Sequence, residues 1–416
     1  MNAWAKNFLK RTFDSLSIYN YRMYFFGQAI SMSGQWMIAV AQGLLVLQLT
    51  GSGTDLGIVT ALQTVPVLFL GAWGGVMVDR YPKRSILYIT QAAQLVVGVL
   101  TGLLIFSGHI ELWIVFLLAL VSGVIKVFDN PARQTFVREM VGTNFLTNAV
   151  SLNSMTINLA RVAGPAIAGV LVATLGLAQC FIIGGLSYLA VIYMLTRMRA
   201  DDLHPAPVLK RAKGQMAAGF NYVRNEPVVR NVLIMMAIIG TFTYEFSVVL
   251  PLLAEFTFNN GASGYAALTS AMGVGAVAGG IYTAGRRRST TKMLVISAAL
   301  FGGSVILTAI APTFNTALIT MVVVGFFSIN FTSLGNVTIQ LASRPDMQGR
   351  VMSFWSIAFL GTTPIGGPIM GSIGEHAGAR TALMIGGIAA IVAAGIGILT
   401  ARASKSAEED EELSAA

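Results

Sequence analysis

Three ionisable residues, Glu245, Arg161 and Asp129, lie inside long apolar segments of the sequence. A charge in the hydrocarbon core of a membrane is costly, so it must face a cavity or a partner. Glu245 and Arg161 lie at similar depths, each about 20 Å from the start of its helix at about 1.5 Å per residue. Burial favours the protonated form of a carboxyl group, and a nearby guanidinium favours its ionised form. These residues predict a proton-coupling site, with a static ion pair or an internally hydrogen-bonded acid as the alternative.

Motifs for enzymatic or metal chemistry are absent from the sequence. There is no G-x-x-x-x-G-K-[ST] phosphate loop, no H-E-x-x-H pair and no G-x-S-x-G elbow. The three His residues are scattered, and the single Cys180 predicts a packing residue. We therefore expect no enzyme, no metal and no cofactor, with a proton gradient as the energy source.

The elements that position these residues follow from the composition. Of 416 residues, 55% are hydrophobic and 11% charged, and the mean hydropathy is +0.71. An ordinary soluble domain has roughly 25% charged residues. Since a span needs about 20 apolar residues, the sequence predicts an all-α membrane protein with twelve transmembrane helices. The predicted spans are 23–49, 56–78, 85–107, 111–138, 147–173, 179–196, 231–256, 265–284, 292–311, 316–342, 351–373 and 380–400.

The spans divide the chain into two six-helix bundles, 23–196 and 231–400. A basic amphipathic segment, 1–22, precedes the first bundle and is expected to lie at the membrane interface. A polar cytoplasmic linker, 197–230, joins the bundles. The acidic tail, 401–416, is expected to be solvated and without regular structure.

The basic residues predict the orientation. With both termini in the cytoplasm, 25 of the 27 Lys and Arg residues fall in or beside cytoplasmic segments. Only Arg161, within a span, and Arg380 do not. This bias predicts a bacterial inner-membrane protein with cytoplasmic termini. The net charge of +9 comes from these short clusters, so no nucleic-acid partner is expected.

The two halves repeat each other. Gly164-Pro165 with Gly169 in span five matches Gly367-Pro368 with Gly371 in span eleven, about 203 residues later. A half-length repeat of six spans is typical of pseudo-symmetric transporters. The prolines and glycines predict bends at the interface of the halves, with a packing face of no coupling significance, or chance similarity, as alternatives.

The loop between spans two and three contains Gly75, Asp79, Arg80, Lys83 and Arg84 in the order G-x-x-x-D-R-x-x-K-R. This loop resembles the signature loop of the major facilitator superfamily. The resemblance implies that these residues gate the transporter by locking one half against the other. The alternative is a basic cluster that only sets topology.

A longer pattern resembles the enterobactin-exporter and macrolide-efflux branch of that superfamily. It runs from Asp129-Asn-Pro131 through Arg161 to Gly164-Pro165. In the superfamily, spans one, four, seven and ten line a central cavity. The resemblance implies a substrate cavity with these polar residues: Gln28, Gln35, Lys126, Arg133, Tyr244, Asn330 and Asn336. Snorkelling side chains and interhelical hydrogen bonds are the alternatives.

Together these features predict a proton-coupled exporter of small amphipathic compounds such as drugs or siderophores. It is expected to work by alternating access, in contact with membrane lipid and as a monomer. A lipid or lysophospholipid flippase and a proton-linked importer are alternatives on the same fold. A non-transporting receptor or scaffold is the alternative from another class, and an intramembrane Glu and Arg at matching depth argue against it.

Overall fold

The structure is a computed structural model that describes residues 13–142, 144–204, 215–284, 290–344 and 347–415. All the regular secondary structure in these residues is helical. The α-helices are α1 (Tyr19–Thr50), α2 (Gly53–Arg80), α3 (Lys83–Phe106), α4 (Leu112–Val141), α5 (Leu146–Thr174), α6 (Leu177–Leu186), α7 (Tyr188–Arg197), α8 (Gln215–Asn225), α9 (Pro227–Phe242), α10 (Phe246–Leu252), α11 (Gly261–Ala284), α12 (Thr291–Ala309), α13 (Phe314–Ala342), α14 (Gln348–Leu360), α15 (Thr363–His376) and α16 (Ala379–Ala415). Short 3₁₀ turns cover Asp14–Ser17 and Ala200–Asp202, and a π-helical turn covers Leu253–Thr257.

The predicted all-α membrane fold is confirmed. Eleven helical segments of the described chain are long and apolar enough to cross a membrane. Many large apolar side chains point outward; Phe69 and Phe106, for example, are each 74% exposed. Apolar surface on this scale is stable against lipid and unfavourable against water.

The eleventh predicted span, 351–373, is not one continuous helix. It is divided at Gly361–Thr362 into α14 and α15. Pro364 lies in the first turn of α15 and has no N–H to donate to α14. Its ring also disfavours helical geometry at the preceding residue. Two other predicted spans are also interrupted, without a proline at the break: 179–196 at Ser187 and 231–256 at residues 243–245.

Both chain ends differ from expectation. Most of the predicted N-terminal amphipathic segment lies outside the described residues, and α1 already begins at Tyr19. The Asn20 side chain fixes this start, since it donates to the carbonyl of Arg199 at 2.8 Å and accepts from its N–H at 2.9 Å. The C-terminal tail, predicted to be irregular, continues α16 to Ala415. Extending an existing helix avoids the cost of nucleation, which explains the difference.

The chain forms two compact units. The first contains residues 1–50 and 65–210, and the second contains residues 51–64 and 211–416. In the first unit, α1 packs against α5, α6 and α7, and α3 packs against α4 and α6. In the second, α11 packs along α13, while α12 packs against α13 and α16. The early part of α2 therefore groups with helices from the second half of the sequence.

Glycines allow the closest helix contact in the second unit. A Cβ atom on Gly275 of α11 would lie 2.7 Å from the carbonyl carbon of Val322. On α13, a Cβ atom on Gly325 would lie 2.8 Å from the carbonyl carbon of Met272. Real Cβ atoms do not approach backbone so closely, so α11 and α13 require glycine at both positions.

Replacing Gly275 with alanine should therefore destabilise the protein. We expect Gly275→Ala to lower the free energy of unfolding by about 1–3 kcal/mol, because the added methyl group overpacks the contact. Gly280→Ala on the same helix is the control, since its Cβ would lie 3.8 Å from Ile329, an ordinary contact. Thermal unfolding in detergent measures both variants, and equal stability of the two would contradict this packing.

Candidate functional site

The first unit contains a buried polar cluster around Asp129, here called the Asp129 cluster (Gln28, Thr90, Gln91, Asp129 and Arg133). Oδ1 of Asp129 accepts hydrogen bonds from Thr90 Oγ1 and Gln91 Nε2, both at 2.7 Å. Its Oδ2 accepts from Arg133 Nε at 2.5 Å, and Arg133 also donates to Oε1 of Gln28. Both carboxylate oxygens are thus satisfied. Nε2 of Gln28 is buried without a hydrogen-bond partner.

The sequence of α4 sets the geometry of this cluster. Asp129 and Arg133 are four residues apart, so they lie on one face of the helix and form an ion pair. Pro131 between them has no N–H, so the carbonyl of Val127 lacks its helical donor. Gly74 of α2 lies against this carbonyl, where a Cβ atom would be 2.6 Å from the oxygen. The proline therefore coincides with the closest approach of α2 to α4.

The other predicted cavity residues of the first unit are less buried and lie outside the Asp129 cluster. Lys126 and Gln35 are half-buried, one turn or more from the Asp129 cluster along α4 and α1. Asn130, next to Asp129, is exposed. Of the polar face predicted on span four, Asp129 and Arg133 therefore make polar contacts inside the unit, whereas Asn130 does not.

Arg161 of α5 stacks on an aromatic ring. Its guanidinium carbon lies 5.2 Å from the centroid of Trp36 on α1, a cation–π distance. One turn later, Gly164 allows close contact, since a Cβ atom there would lie 2.7 Å from the Ser33 carbonyl oxygen. Pro165 and Gly169 are buried within the continuous helix α5. The predicted Gly-Pro element thus packs α5 onto α1 and supports the Arg161–Trp36 stack.

Glu245 lies at a break in the seventh predicted span, between α9 and α10. Thr243 keeps right-handed helical backbone angles, and its hydroxyl donates to the carbonyl of Gly386 at 2.7 Å, whereas Glu245 leaves helical geometry with ψ of 35°. The carbonyl of Glu245 then accepts from Val248 and Val249, which starts α10. The sequence predicts one uninterrupted span here, and the structure instead has a break beside the hydrogen bond to α16.

The Glu245 side chain is directed at α15. It is only 2% exposed, and its Oε1 is buried without a hydrogen-bond partner. A Cβ atom on Gly366 would lie 2.9 Å from Oε1, and one on Gly367 would lie 3.6 Å from Oε2. The hydroxyl of Thr363 also faces this carboxyl group. Consecutive glycines before Pro368 thus make room for a carboxyl group inside the second unit.

The remaining predicted cavity residues make contacts within the second unit. Tyr244 packs among Phe246, Phe301 and Phe359 and donates to the Ser328 carbonyl at 2.9 Å. Asn330 accepts from Thr283 at 2.8 Å and donates to the Phe326 carbonyl at 2.7 Å. Asn336 accepts from Gln340 one turn later.

The signature loop lies at the junction of α2 and α3. Lys83 forms a buried ion pair with Glu139 of α4, with 3.2 Å between Nζ and Oε1. Nε of Arg84 is buried without a hydrogen-bond partner, while Arg80 is exposed. Gly75 has open space around its Cβ position, and Asp79 lies in the last turn of α2. In the described part of the chain, no group of three His, Cys, Asp or Glu residues could hold a metal ion.

Sequence analysis missed several partners of these residues. Thr90, Gln91 and Glu139 complete the polar contacts of the first unit, and Glu375 makes contacts in the second that are described below. Thr90 and Gln91 carried a usable signal, since two adjacent polar residues in an apolar span require buried partners. Glu139 lies near a helix end, where charged residues are common.

The fold and these embedded charges define a membrane transporter rather than an enzyme. A family model described as "transmembrane secretion effector" (MFS_3) matches residues 10–415. The chain therefore belongs to this family of the major facilitator superfamily, as the signature loop predicted.

Curated relatives with similar sequences are transporters. The chain is 28% identical to the staphyloferrin A transporter of Staphylococcus aureus, over 56% of this chain and 59% of that protein. It is 27% identical to the multidrug efflux pump Tap of Mycolicibacterium fortuitum, over 83% of this chain and 88% of Tap. It is 22% identical to the enterobactin exporter EntS of Escherichia coli O1:K1, over 91% and 89% of the two chains.

Solved structures show the same fold at low identity. A bacterial homologue of the human lysosomal transporter Spinster has a TM-score of 0.74 at 12% identity, covering 92% of this chain and 96% of that one. The nucleoside transporter NupG has a TM-score of 0.68 at 15% identity, covering 92% and 98% of the two chains.

The Asp129 cluster generates a stability prediction. Asp129→Asn should lower the free energy of unfolding by about 3–5 kcal/mol, because it leaves the Arg133 charge buried without its counter-ion. The double variant Asp129→Asn with Arg133→Gln should recover part of this loss. Asp202→Asn, a change of the same type at an exposed site, is the control. Thermal unfolding in detergent tests this, and an Asp129→Asn variant as stable as the control would refute the structural role of the pair.

Proposed function

We propose that this protein is a proton-coupled exporter of small amphipathic compounds, and that Glu245 carries the coupling proton. The observation that carries the proposal is the buried Glu245 carboxyl group, with Oε1 lacking a hydrogen-bond partner. An ionised carboxylate in an apolar interior is unstable without a cation or several donors. Such a group is suited to binding a proton in one state of the cycle and releasing it in another.

Asp129 is a weaker candidate for the coupling proton. Thr90, Gln91 and Arg133 already satisfy its two oxygens, so neither oxygen lacks a hydrogen-bond partner. Protonating Asp129 would require these donors to rearrange. We propose that Asp129 and Arg161 shape the electrostatics of the first unit and that Glu245 is the site that titrates.

Export of an amphipathic compound is supported by the relatives. Two of them are named as siderophore transporters or exporters, and one as a multidrug efflux pump. Within this chain, Arg161 on Trp36 and the Gln28–Arg133 pair offer the polar and aromatic contacts that such compounds need. The pattern from Asp129 to Pro165, which resembles the enterobactin-exporter and macrolide-efflux branch, supports the same proposal.

The proton-coupling proposal predicts the behaviour of Glu245→Gln. In proteoliposomes with an imposed proton gradient, the wild-type protein should drive efflux of an amphipathic dye. Glu245→Gln should bind the dye but lose gradient-driven efflux, because the amide cannot take up and release a proton at this position. The matched control is Glu255→Gln, an exposed acid just after α10, which should couple as the wild type does.

Other outcomes change the proposal in defined ways. A Glu245→Gln variant as active as wild type would make Glu245 structural and move the search to Asp129. A wild-type protein that moves no dye under any gradient would overturn drug export, and siderophores and lipids would then be tested as substrates.

We also propose that both termini lie in the cytoplasm of a bacterial cell, as the distribution of basic residues predicts. Green fluorescent protein fused after Ala416 should fluoresce, since it matures in the cytoplasm. Alkaline phosphatase fused after Gly108, between α3 and α4, should be active, since it requires export. The reverse pattern of activities would invert the orientation.

A further inference from the structure

The first turn of α2 is capped by a side chain from α15. Oε2 of Glu375 accepts three hydrogen bonds: from Thr54 N at 2.9 Å, from Thr54 Oγ1 at 2.6 Å and from Ser52 Oγ at 2.9 Å. The donors belong to a helix N-terminus, where unpaired N–H groups and the helix dipole favour a negative charge. The hydrogen bonds from Thr54 hold the pKa of Glu375 below its usual range, so the group is ionised at neutral pH.

Next to this cap, α2 and α15 contact each other through two glycines on each helix, four residues apart in both cases. Gly53 and Gly57 on α2 face Gly371 and Gly367 on α15. A Cβ atom on Gly53 would lie 2.5 Å from the Gly371 carbonyl oxygen, and one on Gly57 would lie 2.5 Å from the Gly367 carbonyl carbon. The two backbones are therefore in direct contact, and a single methyl group would separate them.

The capped segment is distinct from the rest of its helix. Residues 51–64 belong to the second unit, whereas residues 65–80 of the same helix belong to the first. Pro66 lies at this boundary and has no N–H for the carbonyl of residue 62. The early part of α2 is thus held to α15 by contacts that differ from those holding the later part.

Glu245 is next to this contact. Gly367 lies against Gly57 on one side and near Oε2 of Glu245 on the other. The same backbone segment of α15 therefore touches both the proposed coupling residue and the capped segment.

We propose that Glu375 is a gating residue of the transport cycle, whose carboxylate fastens the first turn of α2 to the last turn of α15. In the proposed orientation this contact lies on the extracytoplasmic side, so the inference rests on the proposed function and topology. The cap keeps the first turn of α2 against α15, and loss of the cap together with separation of the glycines exposes this turn to the extracytoplasmic side. Glu375 positions α2 and does not contact the substrate.

Thiol labelling tests this proposal without substrate or gradient. In a Cys180→Ala background, Leu56→Cys places a reporter at a position that is 2% exposed in α2. A charged methanethiosulfonate reagent, which cannot cross the membrane, is added outside right-side-out vesicles. Glu375→Gln replaces the charged acceptor with a neutral one, and Thr54→Val removes one of its donors. Each should raise the labelling rate about fivefold, as expected when one hydrogen bond to a charged group is weakened or lost at partial exposure. Gly57→Ala should raise it as well.

Matched variants separate gating from misfolding. Thr54→Ser keeps the backbone N–H and the hydroxyl that donate to Glu375. Its labelling rate should equal that of the Leu56→Cys reporter without a further substitution. Glu255→Gln and Gly71→Ala should not change the rate, since a Cβ on Gly71 meets only Val67 at 3.8 Å. Elution of each variant as a single species in gel filtration checks the fold.

The outcomes are distinguishable from those of the export experiment. Unchanged labelling in both Glu375→Gln and Thr54→Val overturns the gating role, even if Glu245 proves to couple protons. Labelling that rises only from the cytoplasmic face overturns the extracytoplasmic placement. Faster labelling from outside supports the gate even if no proton-driven efflux is found.

Discussion

Helices inside a bilayer cannot be held together by the hydrophobic effect, because lipid chains are as apolar as the helix surfaces. Each unit of this transporter therefore depends on close backbone contact at glycines and on hydrogen bonds between buried polar groups. Gly275 and Gly325 join α11 to α13 in this way, and Gly164 joins α5 to α1. This constraint accounts for many of the 44 glycines in 416 residues, since a larger side chain at the close contacts would separate the helices.

The same constraint distinguishes the embedded acids. Asp129 has a cation and two neutral donors, so its charge is balanced inside the first unit. Glu245 lies against glycine backbone, and its Oε1 has no hydrogen-bond partner. A buried polar atom without a partner carries a free-energy cost that a hydrogen-bonded atom does not. The two acids of this chain therefore differ in their hydrogen-bonding partners, although both are buried.

The sequence predicted the spans and the embedded charges because both are local signals. A run of about 20 apolar residues, or an ionisable residue within it, is visible without tertiary structure. The partners were not visible, because they depend on contacts across the fold. Thr90 is 39 residues from Asp129, and Thr54 is 321 residues from Glu375. The break before Glu245 was also missed; the hydroxyl of Thr243 beside it bonds to Gly386, 143 residues away.

The short helix α15 connects these features. Gly366 and Gly367 accommodate the Glu245 carboxyl group, while Gly367 and Gly371 accommodate the backbone of α2. Its start at Thr363, after the break at Gly361–Thr362, separates it from α14, and its last turn carries Glu375. A displacement of α15 therefore changes the surroundings of Glu245 and the fastening of α2 together. Glycines of one short helix thus line both the pocket of a buried acid and the contact with α2.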